Sequence, residues 1–189
     1  MILHALPFGC SFAVHVRLVE RGDPFQVRWH PRGPGRRVVD PALGPNRRVP
    51  VLVHDDGTVQ TEMVAILASL DGVHADLEWT AFVATELHAP ILTVLYDDDA
   101  PAANGADAVA RLLPPTLAVV EQRLASGPPD RGAAAYLFWA LLLLDQAAPS
   151  LPRGPHTRAF QAAHRATPAV RHVLARETEA RRVISAQRP

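Results

Sequence analysis

The chain is 189 residues long and 48% hydrophobic, and its 19 basic side chains balance 19 acidic ones, so its formal net charge is +0. That size and apolar content support a real core in one domain or two small ones, and the absence of a global field argues against a nucleic-acid or anionic-membrane partner. A single cysteine excludes an internal disulfide framework and a multi-cysteine zinc site, and leaves a reducing, cytoplasmic setting as the default.

Ile2 to Leu6 is a short apolar run closed by Pro7 and Gly9, which predicts a strand and a turn. The same start has no basic stretch leading into a sustained apolar run, so it does not read as a secretion signal. Ser11 to Glu20 places Phe12, Val16 and Val19 at helical spacing and predicts the first helix. Phe25 to Trp29 alternates as a second strand, His30 to Arg48 is rich in Pro, Gly and Arg and reads as loop, and Val49 to His54 predicts a third strand. Asp55-Asp56-Gly57 is a turn signal that pairs Val51 to Val53 with Thr58 to Gln60 as a hairpin, and Glu62 to Leu70 follows as a helix ended near Gly72.

From His74 onward every pattern is helical, over approximately Ala75 to Tyr96, Ala106 to Ser126, Ala133 to Ala147, His156 to Thr167 and Pro168 to Glu179. Pro90 falls inside the first of these and predicts a kink. The longest apolar run, Ala133 to Leu144, falls short of the roughly 20 residues a bilayer crossing needs and reads as a buried helix. The run Asp97-Asp98-Asp99 reads as a solvated loop, since hard cations take spaced ligands, and no metal site is expected. The fold class is therefore α/β: a thioredoxin-like domain over residues 1–72, with a mixed four-stranded sheet, then an all-α domain over residues 73–189.

The opening Leu6-Pro7-Phe8-Gly9-Cys10-Ser11-Phe12-Ala13 resembles the amino-terminal signature of the bacterial beta-class glutathione transferases. So does Arg48-Val49-Pro50-Val51-Leu52, with Asp55-Asp56-Gly57-Thr58 and Thr61-Glu62-Met63-Val64 after it, which is similar to that family's stretch from its cis-proline into its glutamate-led helix. A further block, Glu78-Trp79 through Ala84-Thr85-Glu86-Leu87-His88, resembles the long first helix of the family's helical domain. Weaker echoes are Ala135-Tyr136-Leu137-Phe138 and Ala159-Phe160 to Pro168-Ala169-Val170.

A thiol reacts as its thiolate, and a cysteine at a helix N-terminus has that anion favoured by the aligned peptide dipoles. The resemblance implies that Cys10 forms a mixed disulfide with glutathione and that His88 assists, with Ser11 as the alternative nucleophile or a hydrogen-bond donor to the thiolate. It also implies that Val49, before a cis Pro50, pairs its backbone with the cysteinyl part of glutathione, in the manner of a strand added to an edge. Glu62 would take the ligand's amino group, and Met63 would help with its carboxylate at the start of a helix. Met63 stands where the family usually has a small residue, Ala81 where it often has asparagine, and Ala89 where it often has lysine. The stretch Arg131 to Ala134 lacks the family's capping box. Arg32, Arg36 and Arg37 either replace a family lysine that reaches the ligand's glycine carboxylate or form a solvated loop.

The expected function is that of a cytoplasmic, homodimeric detoxification enzyme. It would use glutathione as co-substrate on an electrophilic or hydrophobic small molecule, with no nucleic-acid or membrane partner. The alternatives are a glutathione-dependent isomerase or specialised biosynthetic enzyme, and a catalytically weak binding or assembly protein that keeps the fold.

Overall fold

The computed structural model describes residues 1–33, 48–95 and 102–187, except for the side chains of residues 93–94 and 102–110. Most of the expected loop from His30 to Arg48, including Arg36 and Arg37, and the Asp97-Asp98-Asp99 run lie outside the described residues.

Strand β1 (Ile2–Ala5) leads through a tight turn into helix α1 (Ser11–Arg21), and β2 (Gln26–Trp29) returns parallel to β1 with Ile2 opposite Gln26. Strands β3 (Val51–Val53) and β4 (Val59–Thr61) complete a mixed four-stranded sheet in the order β2-β1-β3-β4, both of the later pairings being antiparallel. The hairpin register differs by one residue from the sequence expectation, with Val53 opposite Val59. Its loop has three residues, Asp55 to Gly57, closed by His54 and Thr58, and Gly57 adopts a φ of 84° that favours glycine.

Helix α2 (Met63–Asp71) and a single 3₁₀ turn at Gly72–His74 precede the helical remainder. The expected helix over Ala75 to Tyr96 is present in three parts: α3 (Leu77–Phe82), a π-helical stretch at Val83–His88, and α4 (Ala89–Leu95). The Pro90 ring crowds the carbonyl four residues before it, and the helix widens in the preceding turn, where the Ala89 amide reaches Ala84. Helices α5 (Ala102–Ser126), α6 (Arg131–Ala147), α7 (Pro155–Ala166) and α8 (Pro168–Ala186) follow, the last running well past the expected end at Glu179.

Two helices are buried on all sides. In α1, every residue from Ser11 to Leu18 is buried, because the helix lies against β1 on one side and α6 and α8 on others. In α6, every residue from Gly132 to Leu141 is buried. One continuous hydrophobic cluster contains Leu3 and Leu52 from the sheet, Phe12 and Leu18 from α1, Ile66 from α2, and Leu137 and Phe138 from α6. Among the described residues, no helix is long and apolar enough to cross a membrane.

Candidate active site

The turn between β1 and α1 builds the site. The Gly9 amide donates to the Leu6 carbonyl at 2.8 Å, and a Cβ at Gly9 would meet that oxygen at 3.0 Å, so the close approach favours glycine. Ser11 is fully buried, and its Oγ accepts from the Leu6 amide at 3.2 Å and lies 3.3 Å from the Leu6 carbonyl oxygen. That hydroxyl helps to close the turn through the Leu6 backbone. Phe8 holds a φ of 58°, unusual for a side chain of its size. Both of its backbone groups are gripped by the helical part of the chain: its amide donates to Glu177 Oε2 at 2.6 Å, and its carbonyl accepts from Trp139 Nε1 at 3.1 Å.

Cys10 stands immediately before α1, and its Sγ donates to the Val49 carbonyl at 3.0 Å. The Val49–Pro50 peptide bond is cis. Burial pushes the Cys10 thiol up to about 12, and the Glu62 charge adds to the rise. The amides of Cys10 and Ser11 and the Arg48 guanidinium act in the opposite direction. The sequence expectation of a favoured thiolate is corrected: the helix-end amides do favour the anion, but loss of water outweighs them.

Glu62 is exposed just before α2 and holds φ 67°, ψ 119°, a backbone conformation costly for an L residue and tolerated chiefly where the surroundings fix it. Met63 is 6% exposed and packs into the main core, so only its backbone at the start of α2 is available to a ligand. Ala81 and Ala89 are both exposed.

His88 ends the π-helical stretch, and its Nδ1 lies 2.7 Å from the Tyr136 hydroxyl. The ring also meets Trp139 edge-on with centroids 4.6 Å apart. Burial pushes the Tyr136 hydroxyl up from its ordinary range, and charge on Cys10 pushes it further, so Tyr136 lies within electrostatic reach of the thiol. The structure thus brings Cys10, Val49, Pro50 and Glu62 into one neighbourhood and connects His88 to it through Tyr136. Among the described residues, no three His, Cys, Asp or Glu side chains are grouped as metal ligands.

Four contributors are absent from the sequence expectation. Tyr136 and Trp139, one helical turn apart on α6, are read from sequence as plain core, although each carries a polar tip that needs a partner when buried. Glu177 and Phe8 are not singled out either. A signal for Glu177 does exist: it falls on the buried face of α8 with Val170, Val173 and Ala180, and a carboxylate on such a stripe requires partners. It is 0% exposed, and its Oε1 meets His15 Nδ1 at 3.2 Å. Burial raises Glu177 to about 8 against the opposing charge of Arg181, and lowers His15 to about 4, with Arg176 adding to the fall. Near neutrality both are uncharged, so this contact is a hydrogen bond rather than an ion pair.

A thioredoxin-like sheet with a cysteine at the head of its first helix, beside a cis-proline and backed by a helical bundle, defines the glutathione transferase class of fold. Residues 9–72 match the family described as "Glutathione S-transferase, N-terminal domain". Glutathione S-transferase GstA of Escherichia coli O157:H7 is 34% identical over 119 residues, a match spanning 53% of this chain and 59% of that protein. A glutathione transferase from Methylococcus capsulatus is 27% identical with a TM-score of 0.79, over 94% of this chain and 98% of that one. A sphingomonad glutathione S-transferase complexed with glutathione is 23% identical with a TM-score of 0.78, over 94% and 99%, and shows likeness of fold. The amino-terminal third of the chain therefore matches the glutathione S-transferase N-terminal domain, and its fold as a whole is similar to those of bacterial glutathione transferases.

Proposed function

We propose that this protein binds glutathione along the edge formed by Val49, Pro50 and Glu62 and uses its thiol on an electrophilic small molecule, by conjugation or by thiol exchange at Cys10. Residues 1–72 are the glutathione-binding domain, and residues 73–189 the helical domain that presents His88. The observation that carries this reading is the convergence of Cys10, Val49 and Glu62 beside the cis-proline.

The carbonyl of Val49, held by the Cys10 thiol in the free protein, is an acceptor for a peptide N–H, and the Val49 amide is a donor for the matching carbonyl. Glu62 receives the ligand's ammonium group, and the first amides of α2, Met63 among them, favour its carboxylate. Burial of the Met63 side chain keeps its bulk out of the site. Ser11 supports the site by holding the turn. The setting is cytoplasmic, the assembly a homodimer, and the role detoxification.

Exchange with oxidised glutathione balances simply. The Cys10 sulfur attacks one sulfur of the disulfide, the old S–S bond breaks as the new one forms, and one glutathione leaves with the proton that Cys10 gave up. Incubation with oxidised glutathione followed by intact-mass measurement is expected to show one glutathione-sized adduct, absent from Cys10→Ala. Because the thiol stays protonated near neutrality, the adduct is expected to form about tenfold faster for each pH unit between roughly 7 and 9. No adduct on the wild-type protein, together with no glutathione binding, would contradict the proposal.

A further inference from the structure

Helix α6 presents Tyr136 and Trp139 on one face, and both touch the His88 ring, one by a 2.7 Å hydrogen bond at Nδ1 and the other edge-on. Trp139 is at the same time bonded through Nε1 to Phe8, two residues before Cys10. The same face of one helix thus fixes the histidine and the loop that carries the cysteine.

The direction of the bond between Tyr136 and His88 follows from what surrounds the hydroxyl. Tyr136 is 1% exposed, and among the described residues His88 Nδ1 is the one hydrogen-bond partner found for its oxygen. If Nδ1 carried the proton and donated, the phenolic hydrogen would be buried without an acceptor, an unfavourable arrangement for a hydroxyl out of reach of water. If the hydroxyl donates, Nδ1 is the acceptor and the ring proton resides on Nε2, which is also buried. This arrangement asks the site to satisfy one N–H, whereas the reverse asks it to satisfy both the phenolic hydrogen and the Nε2 lone pair.

We propose that Tyr136 is a positioning residue that donates to His88 Nδ1 and holds the imidazole as its Nε2–H tautomer, so that His88 offers the site a hydrogen-bond donor in a fixed direction. This rests on the reading of His88 as part of the glutathione site. Held this way, the ring stabilises negative charge on a sulfur next to it and does not need to remove a proton. Trp139, edge-on to the ring, restricts its rotation about the same bond.

Two measurements test this. In the uniformly ¹⁵N-labelled full-length protein without glutathione, His88 is assigned through its backbone, and long-range ring couplings read the tautomer; the expected pattern is a protonated Nε2 with Nδ1 as acceptor. Wild-type protein with the proton on Nδ1 would overturn the proposal. In Tyr136→Phe, which keeps the ring and removes the hydroxyl, the tautomer is expected to become mixed. There kcat with glutathione is expected to fall about tenfold, while KM for glutathione stays within about twofold. An unchanged tautomer in the variant, or equal losses in kcat and KM from partial unfolding, would overturn it. Absence of any glutathione-dependent turnover in wild type contradicts the functional reading instead, and leaves the tautomer result to stand or fall alone.

Discussion

Glu177 is a carboxyl group sealed from solvent, and it holds the amide of Phe8 two residues ahead of the candidate nucleophile. Its proton is retained up to about 8 in the folded protein, whereas the unfolded chain loses it near 4.5. Between those values the native state binds more protons than the unfolded state, so the contribution of Glu177 to stability is full at low pH and declines as pH rises toward 8. His15 acts in the opposite sense over a lower window: held near 4 instead of 6.5, it costs stability as pH falls from 6.5. Glu177→Gln keeps an acceptor for Phe8 and cannot ionise. Urea unfolding from pH 6 to 9 is expected to show the wild type losing stability relative to this variant as pH rises, and a difference flat across the range would contradict a buried protonated carboxyl. Cys10 is the neighbouring case. Its position at a helix head is legible in sequence, but its thiol state depends on dehydration by residues distant in the chain and on the Val49 carbonyl, which position along the chain does not reveal.

Helix α6 has no capping side chain of its own: Asp130 precedes it without a side-chain bond. The cap comes from the other half of the chain. Asp71, the last residue of α2, accepts from the Gly132 amide at 3.0 Å and is bonded to Arg17 of α1, all three residues being buried. One carboxylate therefore ties α1, α2 and α6 together and supplies what the Arg131 to Ala134 stretch lacks. Asp71→Ala is expected to lower unfolding free energy by about 2 to 4 kcal/mol, since it removes the cap and the closest partner of a buried arginine, leaving Arg17 with Glu20 at 3.6 Å. In the same way Gly132→Ala, ordinarily favourable within a helix, is expected to destabilise by roughly 1 to 3 kcal/mol. Its Cβ would meet Asp71 Oδ2 at 2.8 Å and Leu67 Cδ2 at 3.0 Å. Denaturant titration of each variant checks both. At this scale the sequence carries the existence and order of the helices through their apolar spacing, and the cap, the hairpin register and the π-helical stretch escape it. Each of those depends on a partner elsewhere: Asp71 for the cap, the closing pair His54 and Thr58 for the register, and the Pro90 ring for the widened turn before it.

Over the whole molecule, the sheet and the helical bundle share one hydrophobic cluster, with α1 and α6 packed against each other at its centre. That shared core explains how residues as far apart in the chain as Phe8, His88, Tyr136 and Glu177 are held about one turn. Cys10, Val49, Pro50 and Glu62 were legible because they sit in a compact sequence pattern, and His88 because it ends a recognisable block. Tyr136, Trp139 and Glu177 were not, because on amphipathic and apolar helices their spacing is that of ordinary core. Calorimetric titration of reduced glutathione into the wild-type protein and into Glu62→Ala tests whether the edge formed by Val49, Pro50 and Glu62 binds glutathione. One glutathione bound per chain, with affinity lowered at least about tenfold by loss of the charged contact in the variant, is the expected result. No binding heat in the wild type, or equal affinity in both proteins, would contradict the assignment of this edge as the glutathione site.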